Sequence, residues 1–509
     1  MRMLEKLKKV LLNVYIIGFL TYGYVYANYT PAHDGMMTVK HNQYWEMSVG
    51  RFVVMYYGRF RGLVEAPWLI GALSLLYIGL SVWLTMEVLD IKFEPWKITT
   101  ISLIYVLNIS FIATTCVYIF CLDVLALGLL LAIVSVYFCT KGNKWYYYLI
   151  ATFSMAFSLG LYQIYIAVAV GLYLILMLKE LIDGEKIADI IRVTIYRMLS
   201  LVLSGGIYFV LVKVFQKLSG VNPYQGNAYE NIGNILDSSF FDIIRLIPTS
   251  FVQVIKYLFL DYTYTTRIPD VINLLIFIVG VALWIMLLKK KFTSASQWIL
   301  AIIVAVIFPI GINCISLLTK GSITQLMTFS YQLMYILALF PALYCFEDIK
   351  LFERKIKTSV IVLPLMLLLS FFVYRFANDL FYYQKLVGEG TQTTMTNIVY
   401  DIERNSEYNP DEKTIVVLGN QPKSFSQDYE MRWLLGNTAG VTTQGTTITY
   451  NEVFNWYLKY VLGRNYPYTY DSEVVDELSA MQEVIDMPTY PKDGYCKVIG
   501  DYLVIKLSE

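Results

Sequence analysis

Apolar residues run along this chain in blocks close to the ~20 residues that a bilayer crossing needs, with short polar connections between them. That yardstick predicts about eleven spans, at roughly 10–27, 67–89, 99–116, 120–139, 145–160, 163–179, 195–216, 269–288, 297–317, 325–346 and 358–377. The pairs 99–116/120–139 and 145–160/163–179 are long apolar stretches divided by short polar or small-residue breaks. If the spans alternate, Lys6, Lys8, Lys9, Lys92, Lys97, Lys141, Lys144, Lys186, Arg192, Lys289, Lys290, Lys291, Arg354, Lys355 and Lys357 all fall on one side, and an excess of basic residues marks the cytoplasm. An odd number of spans then puts the N-terminus inside, the C-terminus outside and the first long loop, 28–66, outside.

Two more polar stretches fall on the outer side. In 218–268, the part from Phe240 to Leu260 places Asp242, Arg245, Gln253 and Lys256 among apolar residues in a helical rhythm. It reads as a helix lying in the membrane interface and kinked at Pro248. Residues 378–509 have soluble composition. Thr414 to Gly419 reads as a buried strand, Tyr495 to Lys506 as a hairpin turning at Gly500-Asp501, and 471–486 as a helix. The expected fold is therefore a polytopic α-helical membrane protein, with a transmembrane module over 1–377 and a small extracytoplasmic α+β domain over 378–509. No internal repeat or inverted half-and-half symmetry is visible.

Composition agrees. The chain is 57% hydrophobic and 16% charged, outside the soluble globular range. A net charge of +1 and the lack of a basic tract with interleaved aromatics exclude a nucleic-acid partner. Of six cysteines only Cys496 stands in a polar region, so neither a disulfide framework nor a zinc motif is indicated. The basic N-terminus followed by an apolar run resembles a signal peptide, but the run is long and Ala27-Asn28-Tyr29-Thr30 is a poor cleavage site, so a retained helix is expected.

Candidate chemistry concentrates in the loop 28–66. It holds both histidines, His33 and His41, together with Asp34 and several arginines. A carboxylate just beyond a span sits where water, headgroup and protein meet, and Asp34 there could take a proton from an acceptor hydroxyl; Asp34-Gly35 also suits a simple turn. Arg51 and Arg59 share the context Gly-Arg-Phe and, in a helix, project within roughly 80° of each other. Guanidinium forks suit phosphate, although arginines also snorkel at interfaces. Arg61 extends the cluster nearer the next span. Asp123, near the outer end of the fourth span, is an ionisable residue in an apolar run and so a functional candidate, or else a helix-start carboxylate. His33, His41 and Asp34 invite a metal, but their spacing is not that of a helical ligand pair and no third soft ligand is near. Lys320 is either a second phosphate contact or a solvated loop lysine. Trp45, Tyr162 and Gln163 are candidates for sugar contact, while any one aromatic among 43 tyrosines and nine tryptophans also fits interfacial anchoring.

The first span, the His33-Asp34-Gly35 loop, Trp45, Gly50-Arg51-Phe52, Asp123 in the fourth span and Leu159-Gly160-Leu161-Tyr162-Gln163 at the next outer turn together resemble the bacterial Gtr type-II glucosyltransferases of the GT-C superfamily. The resemblance covers the membrane region and says little about the tail. It implies an inverting glycosyltransferase of the bacterial plasma membrane that moves a hexose, glucose in that family, from a polyprenyl-phosphate donor to a cell-envelope polysaccharide on the outer face. It assigns the base to Asp34 and a second acid to Asp123, and implies no nucleotide and no required metal. Two-acid variants of the first-loop motif are not matched, since Asp34 is flanked by His33 and Gly35. The competing readings are a flippase or transporter, which would place ionisable residues near the bilayer midplane on broken helices, and a polysaccharide polymerase.

Overall fold

A computed structural model of the chain describes residues 3–28, 31, 35, 43–62, 66–142, 144–225, 240–260, 266–351, 354–420, 448 and 451–508. His33, Asp34 and His41 lie outside the described residues, and so does most of the first half of the opening loop.

The protein is a polytopic helical membrane protein with a small sheet near its C-terminus. Among the described residues eight helices are long and apolar enough to cross a bilayer, or nine if one bent pair counts as a single span, fewer than the eleven expected. The first is α1, Met3–Ala27. In the loop after it stand two short helices, α2 (Tyr44–Ser48) and α3 (Phe52–Arg61). Next come α4 (Pro67–Val88) and α5 (Pro95–Val106), each begun by a proline at a position where the missing N–H costs nothing. The chain then breaks. Asn108 accepts a hydrogen bond from the Ser110 amide at 2.9 Å, capping α6 (Ile109–Val117), and its amide nitrogen donates to the Phe329 carbonyl at 3.2 Å. The expected span 99–116 is thus two helices bent by 45°.

α7 (Leu122–Cys139), α8 (Trp145–Leu159), α9 (Ile166–Ile182) and α10 (Ile187–Ser219) follow, the last ended by Gly220 in the left-handed region at φ 65°. The expected interfacial helix is present as α11 (Phe240–Phe259) with Pro248 inside it. A polar seam docks it: Ser250 and Asn313 exchange side chain-to-carbonyl bonds at 3.0 and 2.9 Å, and Gln253 bonds Asn313, Ser316 and the Gly321 carbonyl. α12 is Ile268–Lys291, and α13, Ala295–Ile312, opens with a Ser294/Gln297 capping box. The expected span 297–317 stops at Ile312, where Asn313 turns the chain into α14 (Cys314–Leu318). The expected span 325–346 is a run of short turns leading into α15, Leu333–Phe340.

Glycines set the closest approach in the bundle. A Cβ at Gly18 would stand 2.3 Å from the Leu75 side chain, and one at Gly71 2.4 Å from the Tyr26 ring, so each helix of the α1/α4 pair seats a large side chain on a glycine of the other.

The polar contacts sort to two ends. At one, Lys6 pairs with Glu87 at 2.8 Å, Lys179 with Asp90 at 2.8 Å, Tyr344 bonds Asp183, and Lys92 pairs with Glu347. Lys6 and Lys92, both assigned to one side by alternation, therefore lie at this end, beside a hairpin of β1 (Asp348–Leu351) and β2 (Arg354–Lys357). The opening loop lies at the other end.

The last span does not stop near 377. α16 runs from Thr358 to Arg404, 47 residues or about 70 Å at ~1.5 Å per residue, against a hydrocarbon core of ~30 Å. The expected domain boundary at 377/378 falls inside this helix. Its far part enters the core of the tail, where Met395, Ile398 and Ile402 pack with Phe454 and Leu458 on one face of a three-stranded sheet. That sheet has the order β3 (Thr414–Leu418), β5 (Tyr502–Lys506), β4 (Cys496–Ile499), with β3 parallel and β4 antiparallel to β5. The strand period of two sends Ile415, Val417, Leu503 and Ile505 to the α16 face and Val416, Leu418 and Val504 to the other, against Leu478, Val484 and Met487. The hairpin at Gly500-Asp501 forms as expected, and the expected helix 471–486 is two, Ser472–Ala480 and Gln482–Ile485, parted at Met481.

Candidate functional site

At the opening-loop end of the bundle, α3 lies across the start of α7. Tyr57 and Arg61 are one helical turn apart and so share a face of α3, and both reach Asp123. The Tyr57 hydroxyl donates to Asp123 Oδ2 at 2.9 Å and the Arg61 Nε lies 3.1 Å from the same oxygen. The Val124 amide donates to Oδ1 at 3.0 Å, as suits a carboxylate in the first turn of a helix. Arg61 also bonds the Phe120 carbonyl at 2.7 Å, and Tyr57 stands 3.3 Å from the Tyr77 hydroxyl. Asp123 is 0% exposed and the Arg61 side chain 4%. A buried carboxylate is costly unless paired and hydrogen-bonded, and this one is both. Asp123 thus holds α3 to the start of α7.

A second group sits beside it. Arg51 caps the start of α3, and its guanidinium lies over the buried Tyr162 ring at 4.8 Å. Glu46, on α2, is buried. Glu46, Arg51, Asp123 and Arg61 all lie close enough to the Cys121 thiol to act on it electrostatically. Two carboxylates and two guanidiniums therefore stand in the neighbourhood of the start of α7, with the Arg61–Asp123 pair in direct contact. Such a group can bind an anion through arginine and offer a carboxylate to a hydroxyl.

The other sequence candidates are placed as follows. Arg51 has non-helical angles (φ −87°, ψ 59°), so the helical projection expected for Arg51 and Arg59 does not apply to it. Arg59 is exposed, with its guanidinium 5.9 Å from the Tyr56 ring centre, so the two arginines sit against different rings. Gln163 donates to the Val49 carbonyl at 2.9 Å and to the Tyr208 hydroxyl at 3.0 Å, which ties α2 and α10 together. Trp45 is exposed and packs edge-on against Tyr224 at 4.9 Å. Lys320 is exposed at a left-handed position, φ 53°, in a turn docked on α11. Sequence reasoning did not single out Glu46 or Tyr57 and ranked Arg61 low. The available signal was Asp123 itself, because a carboxylate in a span requires a partner and the Tyr57/Arg61 spacing supplies two on one face.

A separate polar cluster lines a cavity of about 30 Å3 beside the α5/α6 break. There Tyr335 donates to Asn273 at 2.8 Å and Gln332 to the Tyr257 hydroxyl at 3.1 Å, with Ser370 also in the wall.

Compared with known proteins, the chain matches the family described as Glucosyl transferase GtrII over residues 23–342, well over half its length. That range holds every candidate above and leaves out the tail. Neither a curated protein nor a solved structure matches it significantly.

Proposed function

Because this chain belongs to the glucosyl transferase GtrII family and is a glycosyltransferase that spans the membrane, we propose that it takes glucose from a polyprenyl-phosphate donor and inverts the anomeric centre. The acceptor is a cell-envelope polysaccharide on the outer face of a bacterial plasma membrane. An acceptor hydroxyl attacks the anomeric carbon, the bond to the phosphate oxygen breaks, and polyprenyl phosphate leaves with the electron pair. Asp34 takes the hydroxyl proton. Arg51, preorganised over Tyr162, offsets the charge on the departing phosphate, with Arg59 as the second guanidinium. Asp123, held by Arg61 and Tyr57, fixes α3 and orients the acceptor. His33, His41, Trp45, Tyr162 and Gln163 form the sugar-side wall, and Lys320, out on its own turn, would reach only the far part of a donor phosphate. The observation that supports this reading is the buried Arg61–Asp123 pair and Arg51 seated over Tyr162 within the family-matched region.

Movement of a lipid-linked sugar without bond cleavage has one observation in its favour, the polar cavity beside the broken α5/α6 helix. Its lining residues carry no charge, whereas the charged groups gather at the bundle's end. Purified protein in lipid vesicles, given polyprenyl-phosphate-glucose carrying a labelled sugar and an envelope glycan, should yield labelled glycan and free polyprenyl phosphate. Label crossing the bilayer while still attached to lipid would favour movement.

A further inference from the structure

We propose that Gln216 is a positioning residue, which holds the loop segment bearing Glu46 and Arg51 in register with the start of α7 by donating to that segment's carbonyls. Gln216 is 6% exposed in the last turn of α10. Its Nε2 donates to the Met47 carbonyl at 3.0 Å and to the Ser48 carbonyl at 3.2 Å. A helix of five residues such as α2 leaves its last carbonyls short of helical partners; Met47 takes the Gly50 amide locally at 3.1 Å, and the other bonds come from distant parts of the chain. The Tyr224 amide adds a bond to Ser48 at 3.1 Å, and Gln163 takes the next carbonyl, Val49. Phe52, directly after Arg51, stacks on Phe215 at 5.0 Å, the residue before Gln216. Two amide donors, one from α10 and one from the turn before α9, thus pin three consecutive carbonyls. The Glu46 carbonyl accepts the Arg51 amide at 2.7 Å, so fixing this corner fixes both charged residues relative to each other.

The inference rests on the transferase reading for its effect on rate, and on geometry alone for its effect on the loop. What the site requires is a donor. Gln216→Leu removes it, and Gln216→Glu supplies one only while the new carboxyl is protonated. An ionised carboxylate facing two carbonyl oxygens is repelled, and burial between them favours its neutral form.

The test compares wild type, Gln216→Leu and Gln216→Glu in the same vesicles, by deuterium exchange of residues 44–53 and by glucose transfer, at matched pH between about 5 and about 8. Gln216→Leu should speed exchange in the segment at every pH and slow transfer by about 10- to 100-fold, the scale of a small misplacement of reacting groups. Gln216→Glu should approach wild type in both readouts at the acidic end and resemble Gln216→Leu at the alkaline end, a profile that general loosening of the fold would not give. Unchanged exchange in Gln216→Leu overturns the proposal, whether or not the protein transfers glucose. Faster exchange with normal transfer overturns the positioning role and leaves the transferase reading standing. If wild type transfers no sugar, the transferase reading fails and the exchange data alone decide on the clamp.

Discussion

Asp123 shows how one buried charge organises this site. Its two oxygens receive Tyr57, Arg61 and the Val124 amide, so removing one partner strands the other. Arg61→Met should cost about 3–5 kcal/mol, the usual penalty for an orphaned buried ion. Asp123→Asn combined with Arg61→Met should recover much of it, since a neutral pair needs no counter-charge. Thermal unfolding of the two variants in detergent checks this, and equal melting points would show that the stranded Asp123 carboxylate carries no penalty. At Arg51 the guanidinium lies over the Tyr162 ring, 4.8 Å from its centre. Arg51→Lys keeps the charge but loses both the fork and the stacking, so transfer at limiting donor should fall, while a rate equal to wild type would remove Arg51 from phosphate binding. In the tail, burial, with help from Asp401, pushes the Cys496 thiol from its ordinary value of 9.0 up to about 12. At pH 8 only about 1 thiol in 10⁴ is then ionised, and maleimide should spare it until the tail unfolds. Because the unfolded chain loses that proton first, stability of the tail should fall as pH rises from about 9 towards 12. Asp123 was legible in the sequence as a charge in an apolar run. That it needs partners follows from its burial, but Tyr57 and Arg61 lie some sixty residues earlier, and pairing across that distance leaves no local pattern that selects them over other spaced pairs.

Helices were legible to the extent that their apolar runs were continuous. Most of the eleven expected blocks are single helices, since a span must satisfy its backbone internally, while 99–116, 297–317 and 325–346 are broken or built from short turns. The departures have local causes. Asn108 offers the backbone a side-chain alternative to helix and breaks its span, while the span before Asn313 ends where that side chain is drawn to Ser250 and Gln253 on α11. α16 outruns its apolar half because 378–404 keeps a helical face for the tail core while its composition turns polar. Gly160, read as part of a sequence motif, serves packing between elements. A Cβ there would stand 2.5 Å from the Phe52 ring and 2.9 Å from Val53, and the Val53 amide donates to the Gly160 carbonyl at 3.0 Å. Gly160→Ala should therefore push α3 away from the turn after α8 and cost about 1–3 kcal/mol as overpacking. A lowered melting point with a larger loss of transfer is expected, and unchanged values of both would show that α3 yields freely.

For the whole molecule, the sorting of contacts to two ends accords with alternating spans, though which end faces the cytoplasm was read only from lysine and arginine positions. A reporter active only in the cytoplasm, fused after Glu509, should be silent, and strong signal would put the tail on the other side from the proposed site. The tail is tied to the membrane module by one continuous helix, and Gln384 on that helix bonds Cys116 in α6. The two parts therefore share a rigid connection that composition, which changes abruptly near 378, conceals.

The most direct measurement is the single-turnover rate of glucose transfer from polyprenyl-phosphate-glucose by Asp34→Asn protein in vesicles, beside wild type and Asp123→Asn. The substitution keeps shape and removes basicity, so the chemical step should slow by ~10²–10⁴-fold, with donor binding and melting temperature retained and a milder effect at Asp123. Wild-type turnover in a well-folded Asp34→Asn protein would contradict the account and make Asp123 the first candidate for the base.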